Sequence, residues 1–186
     1  MNYRTTSEIA TYFRVCDGTR VRYADTKAES DTVILMLAPW PETLWAFRRV
    51  WGQIRAVGRV IAIEMPGFGH SDQPERLIAP DAMGEFLALL IDEWDLGAPH
   101  SVGPDVGTAA ALFLAVKAPQ RVTSLSTGGG TPVTLRGKKL PSNTGASFPS
   151  GSPWGTRSTQ GTGPPGHQIL TDSYFVVTGT PNSFAK

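Results

Sequence analysis

The chain has 186 residues, 40% of them hydrophobic, with 17 Lys and Arg against 16 Asp and Glu and a net charge of +1. That is enough for one domain with a sizeable core, and it leaves out the basic excess that binding to nucleic acid or an anionic membrane calls for. The charge is unevenly spread: residues 1–125 carry 12 basic and 15 acidic side chains, whereas residues 126–186 carry five basic ones and the lone acid Asp172. Cys16 is the one cysteine, so no internal disulfide can form, which fits a reducing, cytoplasmic setting. In its strand-like run Cys16 reads as a small buried apolar residue. No window approaches the roughly 18 apolar residues of a membrane span, and the first eight residues have no apolar stretch of a leader, so a soluble, unexported protein is expected.

In chain order, residues 12–16 and 19–23 flank Asp17-Gly18, a pair that supplies the positive φ angles of a type I′ turn and so predicts an antiparallel hairpin. Residues 32–37 and 59–63 are continuous apolar runs, the pattern of strands covered on both faces. Between them, apolar residues return every three or four positions over 42–54, which predicts a helix stopped before Gly58. A second helix is expected over 82–94, with Met83, Phe86, Leu87, Leu90, Ile91 and Trp94 on its apolar face and Gly97 after its end. A strand over 99–102 leads through Gly103-Pro104-Asp105-Val106-Gly107 into a small-residue helix over 106–117, and 121–125 reads as a further strand. Strands alternating with helices imply right-handed crossovers and a mainly parallel, doubly wound α/β sheet.

From about Ser126 more than half of the residues are Gly, Ser, Thr or Pro. Such a stretch buries too little surface to offset chain entropy. Residues 131–186 are therefore expected to form a disordered or poorly structured tail behind a domain over 1–130. Natural disorder, a shortened homologue and out-of-frame translation all account for it, and the sudden bias with almost no acid favours the last. Ending the sheet near Leu125 would leave an open strand edge.

Three segments together resemble the α/β-hydrolase superfamily, in the branch of haloalkane dehalogenases and epoxide hydrolases. They are Leu37-Ala38-Pro39-Trp40-Pro41-Glu42-Thr43, Glu64-Met65-Pro66-Gly67-Phe68-Gly69-His70-Ser71-Asp72-Gln73-Pro74 and Val102-Gly103-Pro104-Asp105-Val106-Gly107, each at a predicted strand end. The likeness covers roughly residues 10–130, the N-terminal half of that fold. It implies Asp105 as nucleophile and the backbone N–H groups of Trp40 and Val106 as an oxyanion hole. An aspartate attacking a saturated carbon forms an ordinary ester, whereas attack on an acyl carbon would form a high-energy anhydride. The implied substrate is accordingly a small hydrophobic epoxide or alkyl halide. A histidine oriented by a second carboxylate then activates water against the ester.

The sequence departs from this pattern in several places. Ala38-Pro39 replaces the usual His-Gly, Val106 stands where dehalogenases place an indole, and no cap domain is recognisable. His70 and His100 read as loop and structural histidines. His167 lies downstream of Asp105 but ahead of Asp172, against the family order of nucleophile, acid, histidine. The expectation is a hydrolase impaired by loss of cap, acid and histidine; the alternative is a non-catalytic fragment or small-molecule-binding remnant. Asp105 can also be read as a helix N-cap, and Trp40 as pocket wall or as core. Gly103 and Gly107 have a packing reason, since so tight a turn leaves no room for a Cβ. No Cys/His spacing suggests a metal and no cofactor is implied. Gly161-Thr162-Gly163-Pro164-Pro165-Gly166 matches a dinucleotide motif only as text. Arg136, Lys138 and Lys139 read as a solvated loop, so no nucleic-acid partner and no membrane is expected.

Overall fold

The computed structural model describes residues 9–128, together with the backbone of four short strands beyond them. β1 (Thr11–Cys16) and β2 (Thr19–Asp25) form the expected hairpin, with Asp17 at φ 44° and Gly18 at φ 70° in the turn. β3 (Val33–Leu37), β4 (Arg59–Ile63), β5 (His100–Pro104) and β6 (Ser124–Gly128) follow. β7 (Thr134–Leu135) and β8 (Lys138–Lys139) pair only with each other, whereas β9 (Gly155–Ser158) and β10 (Tyr174–Thr178) join the main sheet.

That sheet has the order β1-β2-β4-β3-β5-β6-β10-β9. Its centre is parallel, β3 pairing with β4 and β5, and β5 with β6. β2 meets β4 antiparallel, and β10 lies antiparallel to β6 and β9. The edge that the composition leaves open beside Leu125 is thus paired, Val177 standing opposite Leu125. The remaining expectations for the tail concern residues outside the described ones.

The apolar runs form buried strands because each pleat sends side chains into a core on either face. Leu35, Leu37, Ile61 and Ile63 join one cluster with Phe86, Leu87, Leu90 and Ile91 of α2 (Pro80–Glu93) and Ala110, Ala111 and Leu114 of α3 (Val106–Lys117). Ile34, Met36, Val60 and Ala62 point the other way, onto Leu44, Phe47 and Trp51. Each buried Val, Leu, Ile, Phe or Met among them contributes roughly 1.5–3 kcal/mol by burial, and each alanine less. α2 begins with Pro80, which fixes φ where no N–H partner is needed, and Gly84 lets α3 approach: a Cβ there would lie 2.5 Å from Phe113 Cβ.

Two elements differ from expectation. Residues 42–54 do not form one helix; a 3-10 turn, Leu44–Phe47, is followed by the single turn α1 (Trp51–Ile54). Trp45, Phe47, Val50 and Trp51 lose rotamer freedom in a regular helix, and Arg48 and Val50 instead donate three residues back, to Trp45 and Phe47. The spacing that buries Leu44, Phe47 and Trp51 survives. The strand expected over 121–125 starts later, because Val122 is buried outside the ladder while Thr123 bonds back to Pro99 through its N–H and to Ala98 through Oγ1.

Candidate active site

The parallel strands β3, β4, β5 and β6 end on one side of the sheet, the side where open α/β sheets bind their ligands. Between β5 and α3 stands a single residue, Asp105, at φ 51° and ψ −121°. A non-glycine residue held there costs on the order of 1–3 kcal/mol and persists only when its surroundings over-determine it. They do so here. Asp105 N–H donates to Gly128 O at 2.7 Å, Thr108 N–H donates to Asp105 O at 3.0 Å, and Thr108 Oγ1 is shared between Gly103 O at 2.8 Å and Gly128 O at 3.1 Å. A Cβ on Gly103 would sit 2.5 Å from Gly107 O, and one on Gly107 3.0 Å from Leu37 Cβ. The elbow is closed on itself.

Asp105 occupies the N-cap position but makes no capping hydrogen bond, and its positive φ is not the extended backbone of a cap. Its carboxylate turns instead to the loop after β3, where Trp40 N–H donates to Asp105 Oδ2 at 3.0 Å. Ala38-Pro39 does not prevent this: Ala38 N–H is anchored on Ile63 O at 2.9 Å. The Trp40 side chain is 61% exposed, so it is not a core residue. Val106 opens α3, where a helix's first N–H groups have no carbonyl four residues back.

Behind the loops lies Glu64, which no motif in the sequence marks out. Glu64 follows β4 directly and is fully buried, although charged. Its Oε1 accepts from Arg22 Nη1 at 3.3 Å and Leu44 N–H at 3.4 Å, and its Oε2 accepts from His70 N–H at 2.6 Å. A Cβ on Gly69, at φ +57°, would come within 2.2 Å of Oε2. Arg22 also donates from Nη1 to His70 Nδ1 at 2.7 Å and from Nη2 to Thr11 Oγ1 at 3.1 Å. The available signal was an acid directly after an apolar strand. Thr108, Arg22 and Gly128 offered none, because their partners are distant in sequence.

The histidines among the described residues are engaged elsewhere. His100 Nδ1 meets Ser124 Oγ at 2.7 Å at the start of β5, the end of the strand away from Asp105. His70 lies against Arg22 and Glu64, Nδ1 standing 3.3 Å from Glu64 Oε2, and its side chain is 62% exposed. His167 and Asp172 lie outside the described residues. Among the described residues no three metal-ligating side chains converge, and no helix is long and apolar enough to cross a membrane. Cys16 is buried, and burial first, then the Glu93 carboxylate, pushes its thiol up to about 12, far from a reactive thiolate. Burial acts to raise the Asp25 carboxyl, but the Arg59 guanidinium at 2.7 Å and the Lys27 N–H outweigh it and hold Asp25 below the ordinary value. That pair fastens β2 to β4.

The family model for the alpha/beta hydrolase fold matches residues 32–149. A 2-hydroxy-6-oxononadienedioate/2-hydroxy-6-oxononatrienedioate hydrolase of Burkholderia vietnamiensis is 34% identical, aligned over 68% of this chain and 47% of its own. A haloalkane dehalogenase loop variant from Bradyrhizobium elkanii superposes with TM-score 0.57 at 29% identity, over 63% of this chain and 39% of that one. The epoxide hydrolase CorEH shares the fold at TM-score 0.60 and 23% identity, over 72% and 47%. The chain spans less than half the length of the curated relatives it matches, between 30% and 48%.

Proposed function

Because the chain belongs to the α/β-hydrolase fold family, we propose that Asp105 is its nucleophile and that its substrate is a small hydrophobic epoxide or alkyl halide. The observation that carries this reading is the Trp40 N–H on Asp105 Oδ2. A carboxylate with one oxygen held by a backbone donor keeps the other, Oδ1, as the attacking lone pair. Attack of Oδ1 on a saturated carbon forms a C–O bond and breaks the C–O bond of an epoxide, or a C–halogen bond. The electron pair leaves on the alkoxide or the halide. When water adds to the carbonyl carbon of the resulting ester, charge develops on Oδ2, which already faces the Trp40 N–H; the Val106 N–H, at the positive end of α3, supplies a second donor. With valine at position 106 in place of an indole, the epoxide is the better supported of the two substrates.

Neither described histidine is hydrogen-bonded to Asp105, which favours slow or absent hydrolysis of the ester by the described residues alone. A reactive aryl epoxide should then leave one covalent adduct per chain, on the peptide containing Asp105, and none after Asp105→Asn. Equal adduct yield in that variant would refute the nucleophile. Sustained diol formation, with label from H₂¹⁸O entering the Asp105 carboxylate, would instead show a complete catalytic cycle, since water attacks the ester at its carbonyl carbon.

A further inference from the structure

We propose that Glu64 is the positioning residue for the oxyanion loop, holding the Trp40 N–H on Asp105 by tethering the far end of the 38–44 segment to the end of β4. The inference rests on the reading of Trp40 and Asp105 just given, and adds to it a residue that touches neither. Between the buried ends Ala38 and Leu44, the 38–44 segment contains Pro39 and Pro41, which have no N–H, and the exposed Trp40, so its middle has few internal hydrogen bonds to hold it in place. It is anchored at two points on consecutive residues of one strand end: Ala38 N–H on Ile63 O at 2.9 Å and Leu44 N–H on Glu64 Oε1 at 3.4 Å. Trp40 lies between them. Loss of the second anchor leaves the far end of the segment held only by the buried Leu44 side chain, with no hydrogen bond to the end of β4.

The chemistry of the tether requires a carboxylate. A fully buried charge is costly unless paired and hydrogen-bonded, and the fold supplies Arg22, His70 N–H and Leu44 N–H, besides the space left by Gly69. Two oxygens receive three donors from three different segments: β2, the loop after β3 and the loop after β4. An amide has one acceptor oxygen and presents N–H groups where the second oxygen stood. It cannot receive all three. With its oxygen on the His70 N–H, the shortest of the three bonds at 2.6 Å, the amide turns its N–H groups toward Leu44 and Arg22, and the Leu44 bond is lost. Arg22, braced on Thr11 of β1, connects the same carboxylate to the hairpin.

The test compares Glu64→Gln and the charge-neutral pair Arg22→Gln/Glu64→Gln with the full wild-type chain, by hydrogen–deuterium exchange and by the rate of Asp105 labelling with a saturating aryl epoxide. The expected result is exchange in the 38–46 segment about tenfold faster while the α2 segment is unchanged, with labelling slowed about tenfold at an unaltered half-saturating epoxide concentration. Unchanged exchange in 38–46, or equal acceleration in every segment including α2, would overturn the proposal and leave Glu64 as a general stabiliser. The pair removes the stranded guanidinium, so the loop is read in a chain without an unpaired buried charge. If wild type is not labelled at Asp105, the nucleophile reading fails, and the exchange pattern still decides whether Glu64 holds the loop.

Discussion

Replacing Gly103 with alanine tests the closure of the elbow directly, because the added methyl has nowhere to go. Its Cβ would stand 2.5 Å from Gly107 O, 2.8 Å from Gly107 C and 3.1 Å from Ala111 Cβ. Two of these are backbone atoms of the first turn of α3 and cannot rotate aside. Gly103 φ is not in the left-handed region, so the cost is steric and not conformational. Overpacking of this kind costs about 1–3 kcal/mol, and for a chain of this size each kcal/mol shifts Tm by about 2–4 °C. A loss of about 2–12 °C is expected, read by circular dichroism on the full chain, together with slower epoxide labelling of Asp105 as α3 is pushed from the strand. Gly107→Ala provides the internal comparison. Its Cβ meets atoms of Leu37 alone, Cβ at 3.0 Å and Cδ1 and O at 3.6 and 3.7 Å, and alanine in a helix regains up to about 1 kcal/mol over glycine, so the net change should stay within about 1 kcal/mol. A Gly103→Ala chain that melts within about 1 °C of wild type and labels at the wild-type rate would refute the argument that close approach of β5 and α3 shapes the site.

Cys16 should resist iodoacetamide at pH 8 in the native chain and react fully in denaturant, as intact-mass spectrometry would record; rapid native labelling would contradict its burial. For Asp25, the folded carboxyl lies below its ordinary value of 3.8, so its stabilisation is present above that pH and is lost as pH falls through the depressed value. Asp25→Asn should cost about 1–3 kcal/mol near neutrality, and urea titrations should show the gap closing in acid; a gap independent of pH would count against the ion pair. Gly84→Ala should destabilise by about 1–3 kcal/mol through its contact with Phe113 and Leu114, and an unchanged denaturation midpoint would show that α2 and α3 can separate without loss.

Much of the fold was legible because short-range chemistry and long-range packing agree. Asp17-Gly18 turns as its composition requires, the apolar runs at β3 and β4 are buried on both faces, and the predicted face of α2 is the one that packs. Residues 42–54 misled because burial spacing is common to a regular helix and to successive tight turns, and hydrogen bonding rather than spacing separates them. The elbow could be located from Gly103, Asp105 and Gly107. What holds it could not: Gly128 lies just past Ser126, where the composition changes, and its carbonyl accepts from both Asp105 and Thr108. Glu64 was hidden for the same reason, since its partners come from three separate segments.

That reliance on Gly128 sets a timetable for synthesis. Thr108 and its acceptor are 20 residues apart, about one to four seconds of translation at ordinary ribosomal rates. Until Gly128 has left the exit tunnel, β5 and α3 can both exist on the nascent chain, but the Asp105 N–H has no acceptor and the elbow is held only by its local contacts to Thr108 and Gly103. Asp105 therefore gains its full set of backbone contacts only after α3 has formed, and a ribosome stalled before that point would display β5 and α3 with the aspartate less firmly held.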